Sequence, residues 1–243
     1  VLCHSYTALV PAGASWDRER AFGLGGRGVD LFFLLSGWLL GHQLLTERQK
    51  TGTVDVRRFW LRRALRILPA YYVVLAVQMG QSFRHRGPEP ADAAYLVFVQ
   101  NYLPRLPYFA HSWSLCVEEH FYLLVGPTLL LMGRFRWAGP LVCALLALPT
   151  VCRAMGWYAS PGMFETHVRY DQCAAGVMLA WVAVERPRWW AGLCRVAVPL
   201  AVLSLAAALY QVFVDVIRWL PPGDGYKAAD TAFWTFAFGT WVL

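Results

Sequence analysis

VDLFFLLSGWLLGHQLL, residues 29–45, decides the fold. It carries one acid, Asp30, at its start and otherwise runs almost wholly apolar to Leu45. A helix that crosses a bilayer needs about 20 predominantly apolar residues, more than a soluble core helix usually needs. The run lacks the alternation of apolar and polar residues that a membrane barrel strand shows. In lipid only helices and closed barrels satisfy their own backbone groups, so a membrane helix is the reading.

Similar runs lie on both sides of it. Hydropathy marks segments at residues 1–10, 29–45, 67–83, 111–132, 138–155, 172–184, 189–213 and 228–243. The run at 93–103, AAYLVFVQNYL, is too short to span and reads as interfacial or re-entrant. The expected fold is all-α: a polytopic transmembrane helix bundle of about eight membrane segments. Residues 1–243 read as one domain, with the first helix beginning before Val1 and the last running past Leu243. Composition agrees. The chain is 58% hydrophobic and 15% charged, with a mean hydropathy of +0.40, whereas soluble domains are about 25% charged.

The net charge of +7 is compatible with anionic lipid, an anionic cofactor or nucleic acid. The basic residues fall in short breaks between apolar runs, which excludes a continuous nucleic-acid-binding face. The connections at 47–66, 133–137 and 185–195 hold 12 of the 22 Lys and Arg residues. By the bias of basic residues toward cytoplasmic loops, the 47–66 connection faces the cytoplasm. The loops at 11–27, 84–110, 156–171 and 214–226 then face outward. Trp157, Tyr158, Trp189, Trp190 and Trp219 stand at the predicted borders, as an aromatic belt would.

Several stretches invite a chemical reading. GLGGRG at 23–28 matches a dinucleotide fingerprint literally, but no strand precedes it and a membrane run follows, so it reads as a loop leading into a helix. Cys3, Cys116, Cys143, Cys152, Cys173 and Cys194 show no metal or redox spacing and read as small buried residues. In RRFWLRRALRILP, residues 57–69, Arg58, Arg62 and Arg66 fall at i, i+4, i+8 and share one helical stripe. That stripe suits lipid headgroups or, by bidentate guanidinium contacts, a phosphate ligand. Pro69 permits a change of direction after it.

His4 lies in an apolar segment. It is either a structural hydrogen bonder or a functional group, since ionisable residues inside a membrane are costly. HSWSLCVEEHFYLL, residues 111–124, sets two acids at the mouth of an apolar helix. Ser114, Glu118 and Tyr122 share a face, and Glu119 points about 100° away. One acid can therefore face the protein interior while the other faces a loop or headgroups. THVRYDQCAAG, residues 166–176, groups His167, Arg169 and Asp171 before the small run Ala174, Ala175, Gly176, where close helix packing is expected.

Together the stretches HSY (4–6), GVDLFFLLSGWLL (28–40), FWLRRALRILPAYY (59–72), WSLCVEEHFYLL (113–124) and THVRYDQCAAGVMLA (166–180) resemble the membrane-bound acyltransferase family 3. Members of that family include acetyltransferases of O-antigen and other cell-surface polysaccharides. The resemblance covers essentially the whole chain, with His120 standing where the family often has Gln.

It implies a multi-pass protein of the bacterial cytoplasmic membrane. The implied activity moves an acyl group, acetyl by default, from cytoplasmic acyl-CoA to a hydroxyl of a surface glycan or similar acceptor. The implied partners are the bilayer, acyl-CoA and a carbohydrate; no metal and no nucleic acid is implied. By resemblance His4 is the general base, Glu118 its carboxylate partner facing the interior, with Glu119 toward headgroups or solvent, and Arg58, Arg62, Arg63 and Arg66 hold the CoA phosphates. Asp30, Ser36, Trp113, Ser114, Tyr122, His167, Arg169 and Asp171 would line the substrate path. The alternative reading is a transporter or flippase of a polar lipid or glycan, with the same charges along its path.

Overall fold

The computed structural model describes residues 16–132, 147–159, 163–217 and 224–243. His4, the run at 1–10, the connection at 133–137, the first part of the 138–155 run and Trp219 lie outside the described residues. No strand occurs among those described, so the all-α expectation holds.

The helices are α1 (Trp16–Thr51), α2 (Val56–Arg86), α3 (Ala93–Leu96), α4 (Trp113–Met132), α5 (147–154), α6 (Asp171–Glu185), α7 (Pro187–Ile217) and α8 (Asp224–Val242). Two stretches among the described residues are long and apolar enough to cross a membrane: Arg27–Thr51 and Pro187–Gln211. The other hydropathy segments, as far as their residues are described, do not reach that standard. The 15 residues of α6 fall short of the bilayer thickness, and the arginines of α2 dilute its apolar run.

Two local expectations are corrected. GLGGRG lies inside α1, not in a loop; propensity, about 1 kcal/mol against each glycine relative to alanine, is a weak prior that tertiary context overrides. The 47–66 connection shrinks to residues 52–55, and its arginines ride the first turns of α2. The cause is local. Gly52 turns the chain at φ +80°, and Asp55 caps α2 by accepting the Arg58 backbone N–H at 2.9 Å. Pro69 does not end the helix, which continues through it to Arg86.

The chain forms two compact units, Val1–His42 with Gln172–Leu243, and Gln43–Asp171. In the first, backbones touch. A Cβ at Gly37 would lie 2.0 Å from the Cys173 carbonyl oxygen, and one at Gly176 would lie 2.1 Å from that of Leu34. Gly41, one turn after Gly37, meets Val177 and Ala180 in the same way. This is the close small-residue packing expected at 174–176. Helix α7 offers α8 a strip of small residues. Ser204 and Thr240 hydroxyls bond at 2.8 Å, and the Trp241 indole donates to Ser204 at 2.9 Å. Ala208 packs with Leu34, Trp234 and Phe238. The opposite surface of α7 leaves Val198, Val202, Leu203 and Leu209 exposed.

In the second unit α2 and α4 pack together, with Val56 against Gly126. The core gathers Tyr71, Leu75, Tyr95, Phe98 and Cys116. Phe98 and Phe109 adopt left-handed backbone, φ +59° and +45°, which is uncommon for large side chains. Both rings stack on Tyr71, with centroids 4.2 and 5.7 Å away, so ring packing holds the strained turns.

Gly37→Ala is expected to destabilise by about 1–3 kcal/mol through overpacking, read as a lowered Tm in detergent. Gly80→Ala, where a Cβ meets nothing within 4 Å, is expected to be neutral or stabilising by up to about 1 kcal/mol. Equal melting of wild type and Gly37→Ala would contradict the close crossing.

Candidate active site

Glu118 is buried on α4, and the hydroxyl of Tyr122, one turn on, donates to its Oε2 at 2.7 Å. The Tyr122 carbonyl accepts from the Trp60 indole at 2.9 Å. Phe59 meets the Tyr122 ring edge-on at 6.4 Å. The Arg63 guanidinium lies 5.9 Å over Phe59 and 5.5 Å over Tyr122, close enough to feel the Glu118 charge. The four arginines therefore separate. Arg58, Arg62 and Arg66 are exposed, as the stripe requires, while Arg63 turns inward to the carboxylate. A guanidinium over two ring faces is a cation–π arrangement, and here it supplies positive charge beside a buried acid. Ser114 is engaged locally instead, donating to the His111 carbonyl at 3.2 Å.

The adjoining face of α4 carries Cys116, Glu119 and His120. Glu119 departs from expectation: it is half-buried, and its Oε1 is fully buried, on a helix against which the turn Gln100–Tyr102 packs. The Cys116 sulfur faces the backbone N–H groups of Gln100 and Asn101. His120 Nδ1 and the Thr166 hydroxyl lie 2.6 Å apart, and Asn101 Nδ2 donates to the same hydroxyl at 3.0 Å and to the Phe164 carbonyl at 3.1 Å.

Of the groups expected on the substrate path, Trp113, His167 and Arg169 gather near this face. Trp113 stacks on Phe164 at 4.9 Å, with the Arg169 guanidinium 5.4 Å over its ring. Arg169 Nε also donates to the Met163 carbonyl at 3.0 Å. His167 stacks on Tyr102, and its Nε2 lies 2.7 Å from the Trp157 carbonyl oxygen. Asp171 accepts from Arg153 Nη2 at 2.7 Å. Arg153 is fully buried and also bonds Thr150 and the Val168 carbonyl.

In the other unit Asp30 is buried and accepts from Arg27 at 3.4 Å. Arg27 also pairs with Asp230 and lies 5.4 Å over the Trp234 ring, and the Trp234 indole donates to Asp230 at 3.1 Å. Ser36 is half-buried, next to the Gly37 crossing.

Comparison with known proteins follows this geometry. The family model described as an acyltransferase domain matches residues 1–243. The chain belongs to the acyltransferase-3 family. It is 35% identical over 122 residues to the peptidoglycan O-acetyltransferase OatA of Listeria monocytogenes, which is 43% of this chain and 20% of that protein. It is 31% identical over 163 residues to YrhL of Bacillus subtilis, named a candidate peptidoglycan O-acetyltransferase, covering 59% of this chain and 26% of the other. A candidate O-acetyltransferase of Staphylococcus aureus is 28% identical over 179 residues, 64% of this chain and 30% of its own length. The chain thus spans less than a third of these relatives. No solved structure matches it.

Sequence reasoning for this acyltransferase missed Arg27, Gln100, Asn101, Arg153, Thr166 and Asp230, and it gave His120 little weight. Arg153 had a readable signal: a lone charge in an apolar run, which intramembrane cost marks as paired or functional. Gln100 and Asn101 had a weaker one, an adjacent amide pair inside AAYLVFVQNYL.

One further cluster closes the segment after α2. Asp92 accepts from Arg86, from the Tyr108 hydroxyl at 2.9 Å and from the Glu89 backbone N–H at 2.7 Å. Burial pushes the Asp92 carboxyl up, but the three donors outweigh it and hold it below the usual carboxylate range. A carboxyl depressed on folding stabilises above its unfolded value and loses that stabilisation as pH falls through the folded value.

Hydrogen exchange of residues 86–108 is therefore expected to be slow at neutral pH and to quicken as pH falls below the carboxylate range, after correction for intrinsic rates. Asp92→Asn should remove that dependence; an unchanged profile in the variant would contradict the assignment. Arg153→Leu, which strands Asp171, is expected to cost about 3–5 kcal/mol. Replacing both residues by leucine should recover part of that loss, and equal melting of the single and double variants would contradict the pairing.

Proposed function

We propose that this chain is the catalytic domain of a multi-pass O-acetyltransferase of the bacterial cytoplasmic membrane, acting on peptidoglycan. Residues 1–243 act as one domain of about eight membrane segments, with the residues around Arg58–Arg66 on the cytoplasmic side. Membership of the acyltransferase family and the names of the relatives support the reaction class and the acceptor. The observation that carries the site is the buried Glu118 carboxylate, held by Tyr122 and neighboured by the inward-turned Arg63.

Acetyl-CoA is the donor, and the exposed Arg58, Arg62 and Arg66 are its phosphate contacts; guanidinium groups grip phosphate oxygens bidentately. His4 takes the proton from the acceptor hydroxyl, whose oxygen attacks the thioester carbonyl. The carbon–sulfur bond breaks, and the CoA thiolate leaves with that proton. A positioned base is worth roughly 10²–10⁴-fold. Glu118 holds the imidazole in the tautomer that accepts the proton, the role of a buried carboxylate beside a catalytic histidine. Tyr122 positions Glu118, and Arg63 sets a positive charge beside it. Trp113, Arg169 and His167 meet the glycan.

The test is acetyl transfer from acetyl-CoA to peptidoglycan in membranes containing the full-length protein, with mass spectrometry of the glycan. His4→Ala and Glu118→Gln should each lower kcat by about 10²-fold or more, and Tyr122→Phe by less. Arg62→Ala with Arg66→Ala should raise the KM for acetyl-CoA. Equal turnover of wild type and Glu118→Gln would overturn the carboxylate's role. Glycan or lipid movement without acetyl-CoA consumption would favour the transporter.

A further inference from the structure

The turn between α6 and α7 is a single residue, Arg186, and it carries its side chain between two indoles. The Arg186 backbone N–H closes α6 on the Val182 carbonyl at 3.0 Å. The Arg186 carbonyl accepts from the Trp189 and Trp190 backbone N–H groups at 2.9 and 3.0 Å and so opens α7. Pro187, at the first helical position, is pre-set for that start. The Arg186 guanidinium lies 5.3 Å from the Trp181 ring centre and 5.9 Å from that of Trp189. Trp190 stacks on Trp38 of α1 at 5.2 Å, which ties the start of α7 down. Ring faces hold a cation by its charge and leave the guanidinium fork of N–H donors for another acceptor. Arg186 is exposed and forms no ion pair among the described residues.

Arg188 and Arg195 are exposed as well. Seven residues apart, they share one face of α7, and the tilt of its Cα–Cβ bonds carries the Arg195 side chain back toward Arg188. Residues 185–214 contain these three arginines and one acid, Glu185. The same face then turns apolar: Val198, Val202 and Leu209 follow at helical spacing and are exposed. At 1.5 Å per residue Val202 lies about 10 Å beyond Arg195 and Leu209 about 21 Å. Half of the hydrocarbon core is about 15 Å deep. Cations at one end of an exposed apolar stripe of one leaflet's depth match an anionic phospholipid. A free phosphate has nothing to lay along the valines, and a zwitterionic headgroup brings a cation of its own to three arginines.

We propose that Arg186, Arg188 and Arg195 bind the phosphate of one anionic phospholipid, whose acyl chain lies along Val198, Val202 and Leu209. Trp181 and Trp189 hold Arg186 in place, which lowers the cost of ordering its long side chain on binding. The site is in the cytoplasmic leaflet, by the bias of basic residues toward that side. It rests on the membrane part of the reading above, with α7 as a crossing helix, and not on acetyl transfer.

The probe is dioleoylphosphatidylglycerol, offered with an equal amount of dioleoylphosphatidylcholine to the full-length protein in detergent. Native mass spectrometry counts the lipid retained. Wild type is expected to prefer the anionic lipid by about tenfold or more. Arg186→Gln with Arg188→Gln should abolish that preference. Trp189→Leu should reduce it although no charge changes, and an undiminished preference there overturns the indole's part in the site. Arg105→Gln, which removes an exposed arginine elsewhere, should leave it intact. Should the double variant melt early, Arg195→Gln replaces it, with a reduced preference expected and an unchanged one overturning the site. A wild type without preference, or a folded double variant that keeps it, overturns the site. An equal loss in Arg105→Gln does so too, because the preference would then follow overall charge. Release of the bound lipid by inorganic phosphate overturns the lipid in favour of a soluble phosphate ligand. Protein that washes off membranes in alkaline carbonate overturns the membrane reading itself, whereas protein that stays in them without preference overturns the site alone.

Discussion

A charged group in apolar surroundings is tolerable only when an opposite charge or a set of hydrogen bonds meets it there. That constraint organises the interior of this acyltransferase. Arg153 is fully buried and carries Asp171 with it; Arg27 gathers Asp30 and Asp230. Glu118 is the instructive contrast. Its partner within hydrogen-bond reach is a tyrosine hydroxyl, and its nearest cation, Arg63, stands over the Tyr122 ring without forming an ion pair within 4 Å among the described residues. A structural carboxylate would be expected to sit in a tight pair like Asp171. Among the described residues Glu118 is held instead by the Tyr122 hydroxyl, with the Arg63 cation nearby.

The helix crossings serve the same end by steric means. Gly37 and Gly176 bring two backbones into contact, which fixes the start of α6 where Gln172 and Cys173 are fully buried. In the other unit, the left-handed turns at Phe98 and Phe109 bring Gln100, Asn101 and Ser112 beneath the aromatic cluster. Strained non-glycine backbone persists only where the surroundings over-determine it, and it gathers at functional sites.

Much of this was legible in the sequence. The apolar run at 29–45 gave helices, the small residues at 174–176 gave the close crossing, and the i, i+4 spacing gave the Glu118–Tyr122 bond. The expectation for Glu119 failed because helix phase tells which way a side chain points and not what packs there; the turn that begins at Gln100 and packs on α4 lies 19 residues before Glu119 in the chain. Arg63 was grouped with Arg58, Arg62 and Arg66 by the resemblance, although its phase differs by one residue from Arg62, enough to turn it inward. The pairs Arg153–Asp171 and Arg27–Asp230 were hidden for a different reason: sequence patterns show where a charge is and not which distant charge it meets.

The central claim is that Glu118 acts through His4 and not on its own. A double-mutant cycle on the rate of acetyl transfer tests it most directly, since residues that work as a unit lose their effects non-additively. Adding Glu118→Gln to His4→Ala is expected to cost nothing further, with the double variant no slower than His4→Ala alone. Losses that multiply across the two sites would contradict the claim and leave Glu118 a role separate from the histidine.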